Sequence, residues 1–130
     1  MNRCYAVALV ALLSFVLAGT LHASEALAPR ITLACGGIGE DESARMRALE
    51  KAHALTMIFA LRDGTYIADV MVRIEDPLAD LHVERVCGPI GLVDVPVPGR
   101  YRVVARFGAH AQEHWVELRP FGGDRLVLRW

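Results

Sequence analysis

A chain of 130 residues with a formal net charge of −1 has no basic excess, so it lacks the electrostatic footprint of a nucleic-acid-binding protein. Its 54% hydrophobic content is inflated by one apolar stretch near the N-terminus and does not describe a membrane protein. Of the three cysteines, Cys4 precedes that stretch, which leaves an even pair, Cys35 and Cys87, beyond it.

Met1-Asn2-Arg3 is a short positive start, Tyr5 to Ala18 is apolar and uncharged, and Leu21-His22-Ala23 resembles a small-residue cleavage site. Together they predict a secretory signal peptide over residues 1–23. The apolar run is short of the roughly 20 residues that a membrane span needs, so no span is expected after cleavage. A retained N-terminal anchor is the alternative. No Cys follows the run where lipid attachment would need one. The expected location is periplasmic or secreted, and residues 24–130 are expected to form one folded unit of ordinary domain size. In an oxidising compartment an even cysteine count makes a Cys35–Cys87 disulfide the expected pairing, with two separate buried thiols as the alternative.

Residues 24–39 read as a flexible lead followed by a short strand, Ile31 to Cys35, which Gly36-Gly37-Ile38-Gly39 breaks. Residues 40–54 read as a helix, with Glu40, Asp41 and Glu42 in its first turn and Arg45, Arg47 and Lys51 after them, in the order that suits the helix dipole. Met46, Leu49 and Ala52 or His53 form a narrow apolar stripe, which places the helix at the edge or end of the fold.

From Leu55 the period becomes two. Leu55, Met57, Phe59 and Leu61 share one face, then Tyr66, Ala68, Val70, Val72 and Ile74 share another, and the Asp63-Gly64 turn between them predicts a hairpin. Further strands are expected over Leu81 to Val86, Ile90 to Val95, Gln112 to Arg119 and Leu126 to Trp130. Pro96-Val97-Pro98-Gly99 turns into the clearest of them, with Tyr101, Val103, Ala105 and Phe107 on one face and Arg100, Arg102 and Arg106 on the other. Short strands at this spacing over residues 55–130 predict a mainly β fold, a seven-stranded antiparallel β-sandwich with one short N-terminal helix. A closed barrel satisfies the same pattern.

The hairpin LRDGTYIADVMVRIED and the later GPIGLVDVPVPGRYRVVARFG, with Val95, Pro98, Gly99, Tyr101 and Val103 in register, carry a family resemblance. The segment from Leu55 to Trp130 resembles the carboxypeptidase regulatory-like, or transthyretin-like (prealbumin-like), family of small β-sandwiches. The GGIGEDE element and its helix resemble a group of small exported bacterial proteins that bear such a domain. The resemblance implies an accessory or interaction module without catalysis, and supplies no site residues. Relatives that hydrolyse a purine degradation product end in a Tyr-Arg-Gly-Ser type tail, whereas this chain ends Leu126-Val127-Leu128-Arg129-Trp130.

No catalytic, cofactor or metal residue set is expected. GGIG before a helix has the shape of an anion cradle, but Glu40, Asp41 and Glu42 repel a phosphate there, so a strand-to-helix turn is expected. His53, His82, His110 and His114 form the pool for an alternative reading, a small metal-dependent periplasmic enzyme. On a strand, however, His110 and His114 lie about 13 Å apart, too far for one zinc ion. Tyr66 and Tyr101 fall on core-facing positions, and Glu75-Asp76 reads as a solvated turn pair. Trp115 lies between Glu113 and Glu117, so it is either an exposed interaction anchor or, if the strand is flipped, part of the core. The partner expected on this reading is an envelope protein, with neither nucleic acid nor any cofactor involved.

Overall fold

The computed structural model describes residues 28–130. The expected signal peptide lies outside these residues. Strand β1 (Thr32–Gly36) leads through the glycine turn into helix α1 (Glu40–Ala48) and a short 3-10 turn (Glu50–Ala52). Seven strands follow: β2 (Leu55–Ala60), β3 (Val70–Asp76), β4 (Leu81–Cys87), β5 (Ile90–Asp94), β6 (Gly99–Phe107), β7 (His110–Leu118) and β8 (Asp124–Arg129). They form two four-stranded sheets, ordered β1-β5-β2-β8 and β4-β3-β6-β7. Among the described residues no helix is long and apolar enough to cross a membrane.

Alternation produces the core. On β6, Tyr101, Val103 and Ala105 are fully buried, as are Val70, Val72 and Ile74 on the neighbouring β3. Leu55, Met57 and Phe59 of β2, Val93 of β5 and Leu128 of β8 join them in one apolar cluster drawn from both sheets. Full burial of one such side chain contributes roughly 1.5–3 kcal/mol, so this cluster is the main source of cohesion. Strands β2 and β5 are buried on both faces. Thr56, Ile58 and Ala60 point away from the shared cluster yet are buried, and Ile90 and Leu92 are covered by Met46 of α1. The helix therefore packs on a sheet face instead of lying at an edge or end.

The long edges are tied on both sides. Cys35 near the end of β1 and Cys87 at the end of β4 form a disulfide with a Cα–Cα distance of 4.9 Å. Opposite, the Gln112 side-chain amide donates to the Arg129 carbonyl, and the Trp130 indole N–H donates to the His110 carbonyl at 3.1 Å.

Several expectations need correction. There are eight strands, not seven; the short strand expected over Ile31 to Cys35 is present as Thr32–Gly36 and pairs antiparallel with β5 over its whole length. The sheets are not wholly antiparallel, since β8 runs parallel to β2 from Leu55↔Asp124 to Ala60↔Arg129. The expected hairpin shrinks to a single bridge, Ala60↔Tyr66, around a turn in which Asp63 accepts the Thr65 N–H at 2.9 Å. Asp69 then takes φ 60°, and the chain crosses to the other sheet before β3 begins at Val70. Tyr66 is consequently 52% exposed instead of core-facing. The helix expected over 40–54 ends at Ala48, where Leu49 (φ −94°, ψ 0°) hands the chain to the 3-10 turn.

The Tyr101 ring is fully buried, and its hydroxyl donates to the Val97 carbonyl at 2.6 Å. Burial, with a smaller contribution from the Asp76 charge, raises its pKa above the ordinary 10.0. Tyr101→Phe is expected to cost about 1 kcal/mol, the net worth of one hydrogen bond. The raised pKa also has a pH signature. Below about pH 10 the phenol is neutral in both folded and unfolded chains; above it the unfolded chain sheds the proton first, so stability falls as pH rises. Urea melts at neutral pH and at about pH 11 should show a steeper alkaline loss for the parent than for Tyr101→Phe.

Candidate binding face

The outward face of the β4-β3-β6-β7 sheet gathers most of the chemistry. Strand register sets its rows. His82, Glu75, Arg102 and Trp115 lie side by side across the four strands, and the next row holds Glu84, Arg73, Val104 and Glu113. Val86, Met71, Arg106 and Ala111 form a third row, in which Val86 and Met71 are exposed apolar side chains.

Glu75 is the unexpected member. It sits at the end of β3 and is only 8% exposed, although it lies on the solvent-side face. Arginines explain how it is tolerated: Arg73 Nε lies 3.1 Å from Glu75 Oε2, and the Arg102 guanidinium contacts Oε1. Arg73 also reaches Glu84 at 3.7 Å. A carboxylate that loses water must be paired: Arg73 hydrogen-bonds Oε2, and Arg102 supplies an ion pair at Oε1. The expectation of a solvated Glu75-Asp76 pair is therefore wrong for Glu75. Asp76 instead caps the next turn, accepting the Leu78 N–H at 3.1 Å.

The ladder continues into Trp115, which is 43% exposed. Alternation on β7 turns His114, Val116 and Leu118 inward and leaves Trp115 outward between Glu113 and Glu117. Arg100 and Arg102 hold their guanidinium carbons 4.7 and 5.7 Å from the indole centroid, and the indole N–H donates to Glu113 at 3.0 Å. Each such cation–π contact is worth about 0.5–1 kcal/mol at an exposed site, enough to restrict the ring without hiding it. The result is a large, oriented amphipathic side chain on a nine-residue strand at the sheet edge. Trp115 was visible in the sequence; Glu75, Arg73 and the stacking role of Arg100 and Arg102 were not, because they depend on which strand lies beside which.

His53, His82, His110 and His114 are dispersed. His53 Nδ1 lies 2.8 Å from Asp94 Oδ2, beside the 3-10 turn. His82 is on the outward face of β4, and His110 and His114 follow one another along the inward face of β7, where His114 bonds Gln112 at 3.1 Å. Among the described residues no group of three or more His, Cys, Asp or Glu side chains converges. The GGIG turn, with Gly37 and Gly39 at φ 95° and 85°, lines an open, mainly apolar cavity of about 460 Å³ together with Tyr66 and Pro89. Arg47 hydrogen-bonds the Tyr66 hydroxyl at its rim. Tyr66 and Tyr101 are thus separated, one at this rim and the other in the core. No protein-family model matches this chain, and no curated protein matches it.

Proposed function

We propose that this chain is an exported, non-catalytic binding or accessory module of the bacterial cell envelope, built as a transthyretin-like β-sandwich and acting in the periplasm or outside the cell. The observation that carries this reading is Trp115, held outward by two arginines on edge strand β7. Interface hot spots are enriched in Trp and Arg, and an open strand edge offers main-chain donors and acceptors to an added strand. A partner strand laid along β7 brings its own side chains alongside Trp115, so backbone pairing supplies affinity and the indole supplies selection. The Cys35–Cys87 disulfide and the signal-like N-terminus support an oxidising, extracytoplasmic setting. The metal-dependent enzyme is less well supported, because the described histidines do not assemble.

Cross-linking in intact cells followed by mass spectrometry tests the reading. The parent should capture a discrete envelope protein, and Trp115→Ala, which removes an exposed side chain and leaves the core alone, should lower its recovery at least about tenfold, as for a hot-spot residue. Equal recovery by both proteins, or capture of no partner by either, would count against it. The intact mass of the exported protein should correspond to residues 24–130.

A further inference from the structure

Strand β7 carries a register that fixes which of its groups a partner can reach. Strand β6 turns into β7 through two residues, Gly108 at φ 59° and Ala109, so Phe107 and His110 face each other as the closing pair. Glycine at the first central position suits a type II′ hairpin turn, whose flanking residues share a hydrogen bond. Bonded and non-bonded pairs then alternate along an antiparallel ladder. Gln112, His114, Val116 and Leu118 therefore direct their N–H and C=O groups to β6, whereas Ala111, Glu113, Trp115 and Glu117 direct theirs to the open side of the sheet.

The first part of this edge is covered by the end of β8. The Trp130 indole N–H donates to the His110 carbonyl, and the Gln112 side-chain amide donates to the Arg129 carbonyl. The accessible stretch is thus Glu113 to Glu117, about 17 Å of strand. The three residues whose main chain is free there, Glu113, Trp115 and Glu117, are also the three whose side chains are exposed on the outward face.

An added strand sets one residue directly opposite each of the three, with Cα atoms about 5.5 Å apart in a hydrogen-bonded pair. At that distance opposite charges stabilise and like charges destabilise, and a β-branched residue packs well against an aromatic one. Arg102 and Arg100 lie on β6, across from Trp115 and Glu117. They are one strand farther from the newcomer, about 10 Å, a distance at which salt screens them. Their guanidinium carbons, moreover, sit over the indole at 5.7 and 4.7 Å. The first charges that an added strand meets are therefore two carboxylates, one on each side of Trp115.

Resting on the reading of β7 as the binding edge, we propose that its partner enters as a short extended segment of basic–x–apolar–x–basic pattern. Its central β-branched or aromatic residue packs on Trp115, and a Lys or Arg pairs with each of Glu113 and Glu117. The pattern reads the same in both directions, so it holds for either strand orientation. A second copy of this chain fits poorly. Two β7 strands paired antiparallel about Trp115 set Glu113 of each copy opposite Glu117 of the other, and sliding them to avoid this brings the newcomer against the covered segment at His110 and Gln112.

Two capped heptapeptides are the probes: Thr-Lys-Thr-Ile-Thr-Lys-Thr, and the same sequence with Glu in place of Lys. Titrated into the exported protein and followed by 1H–15N NMR, the Lys peptide should shift the Trp115 indole N–H and the Glu113, Trp115 and Glu117 amides saturably, with half-saturation below about 10 mM. The Glu peptide should bind at least about tenfold more weakly, because two favourable cross-strand pairs become unfavourable. The double variant Glu113→Lys/Glu117→Lys should reverse the preference, and Glu40→Gln on the helix should leave it unchanged; circular dichroism checks that the variants keep the fold. N-methylation of every residue of the Lys peptide should abolish saturation, since no N–H remains for the ladder. Equal binding of the two peptides, or a preference that the double variant leaves in place, overturns the charge pattern while the Trp115 edge stands. Failure of the Lys peptide to saturate, with cross-linked recovery still dependent on Trp115, overturns strand addition alone. If recovery is also indifferent to Trp115→Ala, the reading of this edge falls with it. A dimer in sedimentation that Trp115→Ala dissociates would assign the edge to a second copy and overturn the proposal.

Discussion

Removing the Cys35–Cys87 bridge, by reduction or by replacing both cysteines with alanine, is expected to lower the unfolding free energy by about 4 kcal/mol. The bridge spans a sequence separation of 52 and joins edge strand β1 of one sheet to edge strand β4 of the other. In the chain-entropy account, releasing a loop of that length returns about 4 kcal/mol of conformational freedom to the unfolded chain. Small domains are stable by only about 5–15 kcal/mol, so the loss is a large share of the whole. For a domain of this size it corresponds to a fall in melting temperature of roughly 15–30 °C. Reduction and the double alanine variant should agree closely, because each removes the tether and the alanines delete little buried volume. Thermal melts with and without reductant decide the matter; a shift below about 5 °C in both would show that the bridge does not constrain the fold in this way.

The contrast between what could and could not be read in advance follows from the range of the interactions. Strand β6 was legible because its alternation is local: Tyr101, Val103 and Ala105 repeat at period two and are buried at that period. On β7 the same logic left Trp115 open between an exposed and a core position, because that strand alternates less cleanly, and the fold turns it outward. Strand β1 was expected over Ile31 to Cys35, but its place in the sheet was not, because that depends on pairing with β5, more than fifty residues away. The Asp63-Gly64 turn is also real locally, since Ala60 and Tyr66 do bridge. What it could not reveal is that the chain leaves the sheet within a few residues, through Asp69 in the left-handed region. Glu75 is the clearest case. A carboxylate beside Asp76-Pro77 reads as solvated, and only the register that sets it opposite Arg102 explains its burial. Similarly, the cavity beside Trp130 draws on residues 62, 110, 112, 129 and 130, which no sequence window contains together.

The crossing segment also leads to a substitution with a large expected cost, Gly88→Ala. Gly88 joins β4 to β5 at φ 120°, and a Cβ there would lie 2.5 Å from the Ile67 carbonyl oxygen and 2.9 Å from the Ala68 Cα. Both obstacles are backbone, and they belong to the stretch that carries the chain from β2 to β3. That stretch has little freedom to retreat, because the Ile67 N–H donates to the Phe59 carbonyl at 3.1 Å and the Ile67 side chain is buried. The turn has equally little freedom, since Cys87 is tethered to Cys35 and the Pro89 carbonyl accepts the Phe59 N–H at 2.9 Å. Alanine therefore adds an unfavourable φ, about 1–3 kcal/mol, to a clash between two anchored segments, about 1–3 kcal/mol more. Gly64→Ala is the matched control: Gly64 has φ 93° but nothing within 4 Å of its added Cβ, so it bears only the backbone strain. Denaturant melts of the two variants should put Gly88→Ala about 1–3 kcal/mol below Gly64→Ala, the share due to the clash. Equal destabilisation would mean that the crossing segment and the turn can move apart, and that this contact does not hold the two sheets in place.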